Sequence, residues 1–116
     1  MDTKIFRFPG GTNNTVSRSY SRGIMAAAAK HMTDAGYVYF DWNVDCGDTL
    51  GYNSSKIASY TINQIKGRHS SVVLMHDIKN STVEAVREII KYGLSNGYTF
   101  AVLDESTPRV QFKPVN

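Results

Sequence analysis

The stretch that most constrains this chain is Ser70-Ser71-Val72-Val73-Leu74-Met75-His76-Asp77-Ile78-Lys79-Asn80-Ser81-Thr82. Val72 to Met75 form an unbroken apolar run between polar neighbours, which predicts a strand buried on both faces. His76 and Asp77 fall where that run ends. Ser81-Thr82-Val83-Glu84 then has the spacing of a capping box and predicts a helix start. An imidazole is thereby set at the C-terminal mouth of a buried strand, the edge where α/β folds build their sites. The competing reading is that His76 only satisfies hydrogen bonds at a strand end.

Strands and helices alternate around this stretch. Lys4 to Phe8 reads as a short strand stopped by Pro9-Gly10-Gly11, a loop whose backbone can approach a ligand closely. Asn13 to Ala35 reads as a helix, with Val16, Tyr20, Ile24, Ala27, Ala28 and Met32 on its apolar face and Gly36 after it. Tyr37 to Asp45 is aromatic and β-branched, a strand region that runs into the acidic turn Asp45-Cys46-Gly47-Asp48. Asn53 to Lys66 predicts a second helix, buried through Ile57, Ala58, Thr61, Ile62 and Ile65. The third, Thr82 to Ser95, is expected to bury Val83, Val86, Ile90 and Leu94 and to stop at Asn96-Gly97. Tyr98 to Leu103 reads as the last strand. The order βαβαβαβ predicts an α/β fold with parallel strands joined by right-handed crossovers, either a small open sheet or an arc of a barrel.

Composition narrows the function classes. A chain of 116 residues, 41% apolar and 20% charged, makes a single globular domain, and its net charge of +3 comes from scattered basic residues rather than a basic stripe. That argues against a dedicated nucleic-acid surface. Cys46 is the single cysteine, so neither an internal disulfide nor a cysteine metal cluster is expected. No apolar run reaches the roughly 18 residues of a membrane span, and no signal peptide opens the chain, which is read as intracellular or as a piece of something longer.

Polar clusters follow three of the strands: Arg7 to Gly11, Asp45 to Asp48, and His76-Asp77. In one parallel sheet they would share the C-terminal edge and converge on one pocket. These segments carry a resemblance. Phe6-Arg7-Phe8-Pro9-Gly10-Gly11 resembles the Arg-x-Pro motif of the polysaccharide deacetylases, the fourth carbohydrate esterase family. Trp42-Asn43-Val44-Asp45-Cys46-Gly47-Asp48 is similar to that family's next motif, Leu74-Met75-His76-Asp77 to its Leu-x-His motif, and Gly97 to Glu105 to its closing strand.

The resemblance implies an arc, about half, of a distorted (β/α) barrel, with residues 1–116 as the C-terminal portion of the domain. It implies a hydrolase that removes N-acetyl groups from an N-acetylated polysaccharide, such as the N-acetylglucosamine of peptidoglycan or chitin, by metal-assisted hydrolysis. His76 matches the general acid that protonates the leaving amine, and Asp48 the carboxylate that holds it. A carboxylate in hydrogen-bond reach favours imidazolium, which suits an acid. Arg7 matches the arginine that orients the catalytic base, and the Gly10 N–H a donor to the tetrahedral oxyanion. Trp42 and Leu74 would line the acetyl pocket. Thr49 departs from a usual Trp, and Gly10 from a common aromatic residue.

Nothing in the chain matches the family's Asp-Asp motif or its His-x-x-x-His type motif, which hold the base and the metal. A divalent metal of zinc or cobalt type is therefore expected for the complete domain and none for this chain alone, which is expected to be inactive by itself. Asp41 and Asp45 read as loop caps rather than a metal pair. Met1-Asp2-Thr3 is read as the boundary of such a piece. The expected partners are the polysaccharide, the absent N-terminal half of the domain, and a second copy through exposed strand edges. The family's place is extracellular or in the cell envelope. The alternative function is a catalytically silent carbohydrate-binding or interaction remnant of the same fold, and an unrelated flavodoxin-like domain fits the alternation but none of the motifs.

Overall fold

The computed structural model describes residues 3–116, so Met1 and Asp2 of the expected boundary lie outside the described residues. The elements are β1 (Ile5–Phe6), a 3₁₀ turn (Val16–Ser19), α1 (Ile24–Asp34), β2 (Val38–Tyr39), β3 (Val44–Asp45), a second 3₁₀ turn (Asp48–Leu50), α2 (Ser54–Lys66), β4 (Val73–Leu74) and α3 (Asn80–Ser95). Both strand pairs are parallel, as the alternation predicts. β1 pairs with β2 in the register Ile5 to Val38, and β3 with β4 in the register Val44 to Val73. The chain forms two compact units. One contains the described residues up to Asp41 together with Val102–Asn116; the other is Trp42–Ala101.

The first unit differs from its expected form in one helix. A single helix from Asn13 to Ala35 is interrupted at Gly23, and Val16 and Tyr20, expected on its buried face, are exposed. Met25 and Ala29 face inward instead. Gly23 has no side chain to cap α1, and Asn116 supplies the cap from a distance. Its Oδ1 accepts from the Gly23 N–H at 2.8 Å and its main-chain oxygen from the Ala26 N–H at 2.9 Å. The same C-terminal segment lines the free edge of β2. The Asp41 N–H donates to the Val110 carbonyl at 2.7 Å, and Gln111 Nε2 to the Tyr39 carbonyl at 3.0 Å. Phe6, Phe8 and Tyr39 rings meet one another across β1 and β2.

The second unit packs α2 on α3 over β3. Its core is Val44, Cys46, Ile57, Ala58, Ile65, Ala85 and Ile89, with Tyr52, Ile62, Val73, Met75 and Tyr98 against it. α2 forms as its pattern predicts, with the Asn53 side chain accepting from the Lys56 N–H at 2.9 Å and Ile57, Ala58, Thr61 and Ile65 buried.

Four expectations for this region are corrected. Val72 to Met75 are half-buried rather than buried on both faces. The strand region 37–45 is split into β2 and β3, which belong to separate sheets, because the Asp41 N–H is drawn to Val110 and Asn43 turns its side chain onto the Val72 N–H. α3 is rotated by about one residue, roughly 100°. It buries Thr82, Ala85, Ile89 and Gly93, and leaves Val83 57% and Leu94 66% exposed. Finally, Tyr98 to Leu103 is not a strand. Its first residues complete the end of α3: with Gly97 at φ +78°, the Tyr98 N–H reaches back to the Gly93 carbonyl at 2.9 Å, a Schellman closure. The Phe100 ring then lies over the bare face of Gly93, where a Cβ would come within 2.5 Å of it.

Candidate functional site

The end of β3 and the end of β4 bring Asp48 and His76 together. Gly47, at φ +74°, turns the chain out of β3 and opens the 3₁₀ turn that holds Asp48, which is 2% exposed. His76 lies two residues past the end of β4, after Met75. Its main-chain N–H donates to Asp48 Oδ2 at 2.7 Å, and its ring Nδ1 lies 2.9 Å from Oδ1. One residue is therefore gripped twice by one carboxylate, which fixes both its backbone and its ring. A third group, the Thr82 hydroxyl from the first turn of α3, donates to Oδ2 at 2.8 Å.

Burial acts to raise the Asp48 carboxyl, but the donations from the His76 ring, the His76 N–H and Thr82 outweigh it and hold the group below its ordinary value of 3.8. Asp48 is thus an anion at neutral pH and can only accept. Nδ1 must then carry the hydrogen toward it, which leaves Nε2 as the ring's working nitrogen. The His76 side chain is 36% exposed while that of Asp48 is fully covered. The arrangement is a half-open imidazole on a buried, locked anion, able to donate a proton to a group that approaches from outside.

Nothing in the sequence marks Thr82 for this role. The Ser81-Thr82-Val83-Glu84 spacing reads as a capping box, but α3 starts earlier, at Asn80, and its cap residue Lys79 makes no side-chain cap. The signal was only a Thr on the turn after a strand-end histidine. Cys46 borders the same anion. Burial first, and then the Asp48 charge and side chain, push its thiol up to about 11, against a lowering by the Asp48 backbone. Asp45 instead caps its own turn, accepting from the Gly47 N–H at 2.9 Å, while Gln64 bonds both its main-chain N–H and its carbonyl. Leu74 in β4 and Trp42 are both half-buried residues of this unit.

Arg7 and Gly10 belong to the other unit. Arg7 is exposed just after β1. Phe8-Pro9-Gly10-Gly11 closes with the Gly11 N–H on the Phe8 carbonyl at 2.9 Å, and Gly10 has φ +77°. Pro followed by a positive-φ glycine is the pattern of a type II turn, in which the peptide N–H of the glycine points away from the turn. A side chain at that φ would be strained, so the glycine that departs from the expected aromatic is what this turn requires. Asp41, 2% exposed, sits behind the turn and accepts from the Thr12 N–H at 2.9 Å. Thr12 itself is fully buried, and its hydroxyl has no hydrogen-bond partner among the described residues.

Among the described residues no three His, Cys, Asp or Glu side chains are grouped so as to hold a metal ion. The residues present do not fit the metal that the sequence resemblance implies, and no chemistry is assigned through it. No helix among the described residues is long and apolar enough to cross a membrane.

No protein-family model matches the chain. The fold, however, overlays the catalytic domain of a peptidoglycan N-acetylglucosamine deacetylase from Eubacterium rectale with a TM-score of 0.96 and 41% identity, over 100% of this chain and 54% of that one. The chain's relatives are polysaccharide deacetylases. A polysaccharide deacetylase from Bacillus cereus matches with a TM-score of 0.69 and 25% identity, over 97% of this chain and 53% of that one. Among curated sequences, "Putative polysaccharide deacetylase YheN" of Bacillus subtilis (strain 168) is 30% identical over 110 residues, 90% of this chain and 36% of that protein. The chain thus spans about half of the deacetylase structures it matches and about a third of this curated relative, and its parallel α/β fold is that of part of those two structures.

Proposed function

We propose that this chain is the C-terminal, acid-bearing portion of a polysaccharide deacetylase domain. The observation that carries the reading is the His76–Asp48 pair, locked by Thr82, in a chain 41% identical along its whole length to part of a peptidoglycan N-acetylglucosamine deacetylase. In the reaction, the C–N bond of a tetrahedral intermediate breaks and the departing nitrogen needs a proton. Nε2 of imidazolium His76 supplies it, giving acetate and the free amino sugar, and Asp48 steadies the ring and its charge throughout. The outward Gly10 N–H is assigned to the oxyanion, Arg7 to orienting the base, and Trp42 and Leu74 to the acetyl group, each by resemblance. The base and the divalent metal are assigned to the remainder of the domain, so the chain alone is expected to be silent. N-acetylated cell-wall polysaccharide is the substrate class, and the cell envelope or its exterior the location.

The test is acetate release from N-acetylglucosamine oligomers and peptidoglycan by the complete natural protein, wild type and His76→Ala. Metal-dependent release that His76→Ala abolishes supports the reading. Release unchanged by that substitution defeats it, and polysaccharide binding without any release points to the silent remnant.

A further inference from the structure

Asp41 is the buried carboxylate that this chemistry leaves unused. It is 2% exposed, and its oxygens accept two main-chain N–H groups from opposite ends of the sequence: Oδ1 from Thr12 at 2.9 Å, 29 positions away, and Oδ2 from Phe112 at 2.8 Å, 71 positions away. Its own N–H donates to Val110 at 2.7 Å. A carboxylate in such a place is costly unless its hydrogen bonds need two acceptor oxygens at once. Asn offers only one and would turn an NH₂ against one of the two donors. On the other side of the same loop, Asn14 holds the Gly11 carbonyl through its N–H at 3.2 Å and its side chain at 2.8 Å. Gly11-Thr12 is thus gripped from both sides, directly behind the turn that presents the Gly10 N–H.

We infer that Asp41 is a positioning residue: it ties Thr12 to the 110–112 segment and so fixes the Gly10 turn in the form that points the Gly10 N–H outward. Its catalytic consequence rests on the reading of Gly10 as an oxyanion donor; its effect on the turn does not. In the alternative, Asp41 is merely one more buried polar group whose loss loosens the whole unit.

Amide hydrogen exchange of the full chain, read by NMR, separates these. In Asp41→Asn, Thr12 and Gly11 should exchange at least roughly tenfold faster, as the loss of one hydrogen bond to a charged group implies. Amides in the middle of α1 should keep their wild-type rates. Unchanged rates at Gly11 and Thr12, or equal acceleration throughout α1, overturn the inference. If Asp41→Asn does not fold, the unmutated chain decides. The Thr12 and Phe112 amides should each show a scalar coupling through the hydrogen bond to the Asp41 carboxyl carbon, and the absence of either coupling overturns the clamp. In the complete enzyme, Asp41→Asn should lower kcat with little change in KM. Wild-type kcat despite a loosened turn overturns the positioning role. If the complete wild-type protein releases no acetate while the turn still responds, the deacetylase reading fails and the clamp stands.

Discussion

Replacing Thr82 by Val tests how the buried anion is held. Val keeps the volume and removes only the hydroxyl that donates to Asp48 Oδ2 at 2.8 Å, so no cavity is expected to complicate the result. A hydrogen bond to a charged group is worth about 1.5–3 kcal/mol, and hiding one fewer hydroxyl returns part of that, so a loss of about 1–2 kcal/mol is expected near neutral pH. The pH dependence gives the sharper test. Asp48 is held below its ordinary value of 3.8 in the folded chain, so its contribution is fully present above that value and is lost as pH falls through the folded value. Without Thr82, burial weighs more and the folded value rises. The deficit of Thr82→Val should therefore be largest near neutral pH and shrink in acid, when the carboxyl is protonated in both proteins. Thr82→Ser, which retains the donor, should lie close to wild type. Urea denaturation at a series of pH values measures all of this. Equal stability of Thr82→Val and wild type at neutral pH, or a deficit that persists unchanged in acid, would refute the account of the anion.

Three further outcomes are expected. Cys46, fully buried with its thiol pushed up to about 11 from 9.0, should react with a thiol reagent at about pH 8 at least roughly a hundredfold more slowly than in urea, and prompt labelling of the native chain would contradict its placement. Thr12→Val removes a fully buried hydroxyl with no partner among the described residues while leaving the Thr12 N–H bond to Asp41, so it should leave stability unchanged or raise it by about 1 kcal/mol; a loss beyond that, in a thermal melt, would show that the hydroxyl is satisfied. The 110–112 segment covers the edge of β2 and Gln64 covers Asp45 in β3, so Gln64→Ala should raise the tendency to self-associate; light scattering after size exclusion that shows the same mass for both proteins at tens of micromolar would contradict edge pairing.

What could be read from the residues was what local pattern decides. α2 has its Asn53 cap and an apolar period with no competing signal, and it forms as expected. The stops at Gly36 and Asn96-Gly97 were equally legible, because a helix end that needs a positive φ selects glycine there. α3 was legible as a helix but not in its rotation. Its most apolar stripe, Val83, Ile90 and Leu94, stays outside, while the Thr82 bond to Asp48 and the seat of Phe100 on Gly93 turn the smaller residues inward. Tyr98 to Leu103 has good strand composition, yet composition carries no information about a missing ladder partner, and the end of α3 claims its first residues. The His76–Asp48 pair is legible only through the family resemblance, because 28 positions of separation leave no local trace of the contact. Asp41 was visible as a loop residue, but its partners lie 29 and 71 positions away, so its role emerges only in the folded chain.

The claim that His76 and Asp48 act as one acid unit is tested most directly by a double-mutant cycle on kcat in the complete protein. His76→Ala is expected to lower kcat by on the order of a hundredfold or more with KM nearly unchanged, since the proton is needed only in the transition state. Asp48→Asn should lower it too, and the double variant should be little slower than His76→Ala alone, because an absent ring has nothing left for Asp48 to hold. Losses that multiply would show that the two residues act independently, and would contradict the pairing on which the account rests.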